Sequence, residues 1–297
     1  MKEIAIIGPT ASGKSDVALE LADSFNANIL SIDSLSIYKE IDIASAKPSQ
    51  EELLHVKHFG INELYPNETF SVATFIDLYL TCKAQTESEN RNLIIVGGSS
   101  FYLKSLLSGL SQIPKISDET KRTAKGILCN LSEAYDLLYT LDKAYMMQIQ
   151  PQDSYRIEKM LHLYLETETL PSKWFEQNPP QATISKLDIF NIDVEREVLR
   201  ERISLRTKKM LETGLIDEVS MLEKVYGRSP NSMKAIGIIE VLEYLDGLTC
   251  KEEMLENIIT HTAQLAKRQQ TFNNNQFENI LHVKREKLYN VASSSLR

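Results

Sequence analysis

Residues 4–15, with the sequence IAIIGPTASGKS, combine the residue types that bind phosphate groups. An apolar run ends at Gly8, residues 8–15 fit the pattern G-x-x-x-x-G-K-[ST], and an amphipathic segment follows without a helix breaker. A strand, a glycine-rich turn and a helix are the context in which this pattern binds phosphates. The segment therefore predicts a phosphate-binding or pyrophosphate-binding loop formed by Gly8, Pro9, Thr10, Ala11, Ser12, Gly13, Lys14 and Ser15.

Each residue type in this loop has a physical reason. Glycines at 8 and 13 can adopt positive φ, so that successive backbone N–H groups turn toward a polyanion. A helix that starts near Gly13 adds the positive end of its dipole. Lys14 supplies a charge for the terminal phosphate, and we expect the Ser15 hydroxyl to ligate Mg²⁺. Many reactions use such a loop, so it does not by itself select the chemistry.

Two further polar turns follow predicted strands. Residues 28–32 end at Asp33-Ser34, and residues 92–96 end at Gly97-Gly98-Ser99. Ligands of open parallel sheets bind at the carboxyl ends of the strands, so we expect these turns to share one crevice with the phosphate loop. Asp33 is interpreted as a metal-associated acid, a general base or a turn cap. Ser99 either approaches a ligand or caps a helix.

A basic segment lies in the second half of the chain. Residues 195–209 contain six Lys or Arg and three Glu, although the whole chain has a net charge of −8. Arg202 and Arg206 are four residues apart, so they lie on one helical face and can close on a phosphate opposite the loop. A solvated, ion-paired helix face is the alternative. Lys234 and the pair Lys267-Arg268 raise the same question with less force.

Strands that alternate with helices predict an α/β fold, a P-loop NTPase-like parallel sheet flanked by helices. The predicted strands lie at residues 4–7, 28–32, 92–96, 187–194 and 279–283. The predicted helices of the core follow the phosphate loop and lie at 70–84, 99–107, 195–226 with a break near Gly214, 235–245 and 251–270. The tail after Lys287 is expected to fray.

Residues 116–186 have no convincing strand pattern. They carry three helical segments, at 118–128, 131–148 and 154–166. We therefore expect an all-helical insertion domain at 116–186, with the catalytic core formed by 1–115 and 187–297.

Composition limits the other possibilities. The 297 residues are 42% apolar, no apolar run approaches the roughly 20 residues that span a bilayer, and Met1 is followed almost at once by the first strand. We expect a cytoplasmic, monomeric protein without membrane contact. The three cysteines are far apart, which argues against a zinc site. The negative charge argues against indiscriminate nucleic-acid binding while permitting a local basic surface.

Three longer stretches resemble the tRNA dimethylallyltransferase family. Residues 32–48 (IDSLSIYKEIDIASAKP) are similar to its DSxxxYxxxDIGTAKP segment, and residues 96–110 (VGGSSFYLKSLLSGL) to its VGGTxxYxxALLxGL segment. Residues 264–272 (QLAKRQQTF) resemble RQLAKRQxTW. With the phosphate loop, the stretches occur in the order of the family and cover nearly the whole chain.

The resemblance implies transfer of a dimethylallyl group from dimethylallyl diphosphate to N6 of the adenosine next to the anticodon of a tRNA. In this family the phosphate loop holds the diphosphate of the isoprenoid. Asp33 matches the general base, and Ser99 replaces a threonine near the reacting amine. Lys14 would neutralise the leaving pyrophosphate, which Arg202 and Arg206 would clamp, and Mg²⁺ on Ser15 is the implied cofactor.

The resemblance also implies contacts with the anticodon stem-loop, from which the adenosine must be flipped out. Residues 152–159 (QDSYRIEK) resemble the family's ND-x-QR-x-x-R segment in the insertion, and residues 232–237 (SMKAIG) resemble a second RNA-contacting turn. The implied tRNA-binding residues are Asp33, Ser34, Leu35, Ser36, Ser99, Lys121, Arg156, Lys159, Lys234, Lys267 and Arg268. The chain departs from the family at Ile238, Ala263 and Phe272, where Tyr, Arg and Trp are usual.

Two other functions are compatible with the phosphate loop. One is a P-loop kinase that phosphorylates a small molecule with ATP, although such enzymes normally place a metal-binding carboxylate where the third strand ends here in Gly-Gly. The other is a non-catalytic RNA-binding module gated by a nucleotide.

Overall fold

A six-stranded, fully parallel sheet forms the centre of the computed structural model, which describes all 297 residues. The predicted α/β fold is confirmed. The sheet has the order β3-β2-β4-β1-β5-β6. The strands are β1 (Glu3–Ile7), β2 (Ala27–Ser31), β3 (His58–Phe59), β4 (Asn92–Gly97), β5 (Asp188–Asp193) and β6 (Ile280–Lys284). The short edge strand β3 is missing from the predicted set, because two paired residues leave no periodic pattern to detect.

The strand register places the three polar turns at one edge of the sheet. Ile7 at the end of β1 pairs with Gly97, and Ser31 at the end of β2 pairs with Val96, so the three neighbouring strands end level with one another. The apolar residues of β1 and β4 are almost fully buried, as expected for strands covered by helices on both faces. Burial of both faces fixes the register, and the register fixes where the turns begin.

Helices connect the strands and cover the sheet. They are α1 (Lys14–Ser24), α2 (Gln50–His55), α3 (Val72–Ser88), α4 (Ser100–Ser108), α5 (Asp118–Ile127), α6 (Leu131–Leu141), α7 (Lys143–Met146), α8 (Ser154–Thr167), α9 (Pro171–Gln177), α10 (Arg196–Glu212), α11 (Leu215–Tyr226), α12 (Ile238–Leu245), α13 (Lys251–Gln276) and α14 (Arg285–Leu296), with a 3-10 turn at Asn231–Lys234. No helix combines the length and apolar composition that crossing a bilayer requires.

The largest differences from the predicted helix bounds concern two segments. The segment 131–148 forms two helices, α6 and α7, because Asp142 leaves the helical conformation and its carboxylate accepts hydrogen bonds from the backbone N–H groups of Tyr145 and Ser172. Helix α13 continues beyond residue 270 to Gln276. Within that extension Asn273 is fully buried and its side-chain amide donates a 2.9 Å hydrogen bond to Oδ1 of Asn191.

The expectation of a frayed tail is wrong. Residues 285–296 form α14, whose buried side chains Leu288, Ala292 and Leu296 lie in the same hydrophobic cluster as residues of β1 and α1. Spacings of four residues place these side chains on one face of the helix. The C-terminal segment is therefore part of the core and holds the start of α14 in place.

The chain divides into two compact units. The first contains Met1–Leu107 and Ile184–Arg297 and includes the sheet, and the second is Ser108–Thr183. The second unit is built from α5 to α9 around its own core, in which Ala124, Leu138, Ile157 and Leu161 are fully buried. Its range, Ser108–Thr183, overlaps the predicted insertion at 116–186 and begins earlier in the chain.

The loop after β2 is fastened by two buried or partly buried charges. The carboxylate of Glu218 on α11 accepts hydrogen bonds from the backbone N–H groups of Asp42, Ile43 and Ala44, at 2.9, 2.7 and 2.9 Å. The ammonium of Lys47, only 4% exposed, donates to the Tyr38 carbonyl and to the side-chain oxygens of Asp42 and Asn62. Burial lowers the pKa of Lys47. These contacts fix one wall of the crevice described below.

The packing of α14 predicts the effect of Leu288→Ala. Because Leu288 is fully buried in the main core, its truncation should lower the free energy of unfolding by about 2–5 kcal/mol. Val291→Ala, at a 37% exposed position on the same helix, should change it by about 0.5 kcal/mol or less. Urea denaturation of both variants measures the difference. Equal stabilities would mean that the terminal helix does not belong to the core.

The Glu218 contacts predict a local change in dynamics. Glu218→Ala removes the acceptor of three N–H groups, so the amides of Asp42, Ile43 and Ala44 should exchange with solvent at least about tenfold faster. The exposed neighbour Asp217 makes no such contacts and supplies the matched control, Asp217→Ala. Hydrogen exchange followed by mass spectrometry reads out the segment. Unchanged protection in Glu218→Ala would refute the role of this carboxylate.

Candidate active site

A crevice of about 380 Å³ opens at the carboxyl edge of the sheet. The phosphate loop, the turn after β2 and the turn after β4 all contribute to it, so the structure brings together the three turns that the sequence places at strand ends. The predicted site residues that line it are Thr10, Lys14, Ser15, Asp33, Ser34, Leu35, Ser36, Ser99, Arg206 and Lys234.

The phosphate loop differs in one detail from the expected conformation. Gly13 has φ +83° and Ala11 has φ +63°, so both lie in the left-handed region. Gly8 is extended, with φ 159°, and is required for a different reason. A Cβ on Gly8 would lie 3.2 Å from Oγ of Ser12 and 3.3 Å from Cβ of Ile192, closer than packed side chains normally approach. Gly8 thus permits close packing of the loop against β5.

Lys14 is a buried cation whose charge is only partly balanced by a neighbouring carboxylate. Its ammonium donates a 3.2 Å hydrogen bond to the Pro9 carbonyl. Burial lowers the pKa of Lys14 to about 8; the Asp33 carboxylate opposes this shift and the Arg206 guanidinium adds to it. Burial also lowers the pKa of Arg206, again opposed by Asp33. One carboxylate therefore faces two desolvated cations, an arrangement that favours an additional anion.

A second cavity, of about 520 Å³, adjoins the phosphate loop on its outer side. Lys14 and Ser15 line it together with Arg202 and Arg206, and the guanidinium of Arg202 donates a 3.3 Å hydrogen bond to the Ser12 carbonyl. The structure thus favours the closing of these arginines on the loop over a solvated helix face. The ion-paired alternative applies instead to Arg200, which lies 3.9 Å from Glu256.

Asp33 caps the turn after β2 and also faces the crevice. Its Oδ1 accepts hydrogen bonds from the N–H groups of Leu35 and Ser36, at 2.9 and 3.2 Å, which is the geometry of a turn cap. The residue also lines the crevice beside Lys14. Ser99 is joined to this turn, because its Oγ accepts a 3.3 Å hydrogen bond from the N–H of Ser34.

Gln269 on α13 is a site residue that the sequence analysis missed. Its Oε1 accepts a 2.9 Å hydrogen bond from the N–H of Thr10, and a Cβ on Gly98 would lie 2.5 Å from its Nε2. Gln269 therefore bridges the phosphate loop and the Gly-Gly turn. Gln269 lies in the stretch 264–272 that resembles the family, next to two cations, Lys267 and Arg268. Those cations, Lys267 and Arg268, are exposed and line neither cavity.

The predicted RNA-binding residues of the second unit are all on its surface. Lys121 pairs with Asp118 at 2.9 Å, and Arg156 pairs with Asp153. The ammonium of Lys159 lies 5.6 Å from the centre of the Tyr155 ring. These side chains are accessible to a polyanion, and their ion pairs are exposed, so little free energy opposes an exchange of partner.

The three departures from the family pattern fall at packed positions. Ile238 is fully buried in a cluster with residues of α11 and α12. Ala263 packs against a smaller cluster between α10 and α13, and Phe272 meets Phe277 edge to face. The smaller or less polar side chains thus contribute to apolar packing.

Comparisons with known proteins agree on one family. The family described as IPP transferase matches residues 36–276. A tRNA dimethylallyltransferase of Sulfurimonas denitrificans is 58% identical over 296 residues, covering 100% of each chain, and one of Sulfurovum sp. is 54% identical over 95% of this chain and 94% of its own.

Solved structures show the same fold. A tRNA isopentenylpyrophosphate transferase of Bacillus halodurans superposes with a TM-score of 0.72 at 29% identity, covering 99% of this chain and 96% of its own. A eukaryotic dimethylallyltransferase acting on tRNA gives a TM-score of 0.85 at 23% identity over 99% of this chain and 77% of its own. The match over residues 36–276 and the full-length relatives show that this chain belongs to the IPP transferase family.

Proposed function

We propose that this enzyme transfers the dimethylallyl group of dimethylallyl diphosphate to N6 of the adenosine next to the anticodon in tRNA. Its close relatives are named tRNA dimethylallyltransferases. The observation that carries the assignment of the site is the placement of Asp33 beside Lys14 and Arg206 in one crevice. A base for an amine and a cation cluster for a leaving pyrophosphate are the two groups that this reaction requires.

The phosphate loop binds the diphosphate of the donor. Its backbone N–H groups, the start of α1 and the Lys14 ammonium meet the phosphate oxygens, and Arg202 and Arg206 close from α10. As the allylic C–O bond breaks, negative charge grows on the leaving pyrophosphate. The same cations stabilise that charge more strongly than the charge of the bound donor, which lowers the barrier.

Asp33 accepts the proton of the attacking amine. N6 forms its bond with the allylic carbon, the C–O bond electrons leave with pyrophosphate, and the N6 proton passes to the carboxylate. Oδ1 is held by two backbone N–H groups, so the carboxylate is oriented before the adenosine arrives. Ser99, tied to the same turn through Ser34, supplies a hydroxyl that positions the amine.

The residues present fit a Mg²⁺ ion that is shared with the donor. The Ser15 hydroxyl lines both cavities beside the phosphate loop, and no group of three or more His, Cys, Asp or Glu side chains could hold a metal alone. Mg²⁺ is commonly bound through one or two protein oxygens together with phosphates and water. Bound through Ser15 and the diphosphate, it would neutralise part of the charge of the leaving group.

The substrate tRNA reaches the crevice through a flipped adenosine. Ser34, Leu35, Ser36 and Lys234 line the crevice and are suited to contact that nucleotide. We assign Lys121, Arg156, Lys159, Lys267 and Arg268 to the phosphates of the anticodon stem-loop because they are exposed cations. Such contacts make binding weaken as salt is raised.

Product analysis tests the proposed reaction directly. The protein is incubated with unmodified tRNA and labelled dimethylallyl diphosphate, or with labelled ATP in its place, and the nucleosides are analysed by mass spectrometry. Label on adenosine from dimethylallyl diphosphate is the expected result. Label from ATP alone, or from neither compound, would reject the transferase in favour of a kinase or a binding module.

The role of Asp33 is tested by Asp33→Asn. The amide keeps an oxygen that can cap the turn but removes the base, so turnover should fall by about 10²- to 10⁴-fold. Affinity for tRNA, measured by filter binding, should stay within a few fold. Asp33→Ala, which also loses the cap, provides the comparison. Normal turnover in Asp33→Asn would exclude this carboxylate as the base.

The role of Lys14 is tested by Lys14→Ala. Loss of a charged donor from the loop should weaken pyrophosphate binding and turnover together, by roughly 10- to 100-fold. Lys224→Ala removes an exposed lysine of α11 and should leave both unchanged. Calorimetric titration with inorganic pyrophosphate measures the affinity. An unaffected titration of Lys14→Ala would contradict the assignment of the phosphate loop.

A further inference from the structure

A fourth cation, Arg285, reaches the outer cavity of the phosphate loop. It is the first residue of α14 and follows β6 directly, so the parallel edge strand delivers it to the same edge of the sheet as the other turns. It lines the cavity that Lys14, Arg202 and Arg206 also line. Neither the phosphate-loop pattern nor the resemblance assigns it a role.

The guanidinium of Arg285 lies directly over the loop backbone. A Cβ added to Gly13 would clash with Nε of Arg285 and would lie 2.9 Å from its Cδ. The left-handed glycine therefore has a second use, since it leaves room for an arginine at the point where the loop becomes α1. The buried face of α14 fixes the backbone from which this side chain extends.

Arg285 forms an exposed ion pair with Asp16, which a more highly charged anion can displace. Its Nη2 donates a 3.0 Å hydrogen bond to Oδ2 of Asp16 on the first turn of α1. The side chains of Arg285 and Asp16 are 37% and 68% exposed. Exposed ion pairs are weak, because water and salt screen them. A diphosphate in the cavity carries more charge than one carboxylate and offers oxygens to a planar guanidinium.

We propose that Arg285 is a third arginine of the diphosphate site, and that it exchanges Asp16 for the diphosphate when the donor binds. The inference rests on the proposed function for the identity of the anion. Arg202 and Arg206 approach from α10, whereas Arg285 approaches from α14 over Gly13. In the free enzyme Asp16 holds the guanidinium beside the loop, and in the complex the anion takes its place.

Titration with inorganic pyrophosphate tests the assignment without the transfer reaction. Arg285→Ala should raise the Kd for pyrophosphate by about 10- to 100-fold, the loss of a charged hydrogen bond, and Arg285→Lys should recover part of the affinity. Lys287→Ala, an exposed lysine on the same helix, should bind as the wild type does. In steady-state kinetics, KM for dimethylallyl diphosphate should rise in Arg285→Ala while KM for tRNA stays unchanged. Thermal unfolding confirms that each variant is folded.

A double-mutant cycle tests the exchange of partners. Asp16→Asn frees the guanidinium and should tighten pyrophosphate binding severalfold, and this gain should shrink when Arg285→Ala is already present. An equal gain in both backgrounds would refute the exchange.

The remaining outcomes separate the two proposals. Wild-type affinity in Arg285→Ala would overturn the role of Arg285 even if the enzyme transfers dimethylallyl groups normally. A wild-type protein that binds pyrophosphate through Arg285 but modifies no tRNA would overturn the proposed function alone. A wild-type protein that transfers dimethylallyl groups but binds no pyrophosphate would overturn the role of Arg285 and leave the proposed function standing.

Discussion

The site depends on a charge imbalance that the fold maintains at one edge of the sheet. Lys14 and Arg206 are desolvated and share a single carboxylate, Asp33, so the pKa of each cation lies below its ordinary value. Removing cations from water without full compensation is unfavourable, and a structure keeps such an arrangement only where rigid surroundings enforce it. A diphosphate supplies negative charge to these cations, which favours its binding at this edge of the sheet.

The surroundings that enforce this imbalance come from distant parts of the chain. The register between buried strands places the phosphate loop and the two turns at the same edge of the sheet. Arg202 of α10 and Gln269 of α13 form hydrogen bonds with the backbone of the loop. In the loop after β2, Glu218 accepts a hydrogen bond from the Ile43 N–H, and Lys47 donates one to the Tyr38 carbonyl. Each of these contacts satisfies a partly buried backbone group, which stabilises the walls of the crevice.

Features that depend on residues close together in the sequence are predictable, whereas features that depend on distant residues are not. The phosphate loop, the strand ends and the Arg202–Arg206 face are local patterns, with periods and spacings that a sequence displays. Five of the six strands and the parallel topology are therefore predicted close to their observed places. The short strand β3 and the break at Asp142 were missed, because the first depends on pairing with β2 and the second on a cap shared with Ser172.

The residues that escaped prediction are those whose partners are far away in sequence. Gln269 contacts Thr10, Glu218 contacts Ile43, and Arg285 contacts Asp16, in each case across more than 170 positions. In a sequence, an arginine after a strand near the chain end is indistinguishable from any exposed cation. Only the parallel pairing of β6 with β5 and the burial of Leu288 bring it over the phosphate loop. The topology that positions the predicted residues thus also recruits cations that no motif marks, and the positive field at the loop is a property of the whole sheet edge.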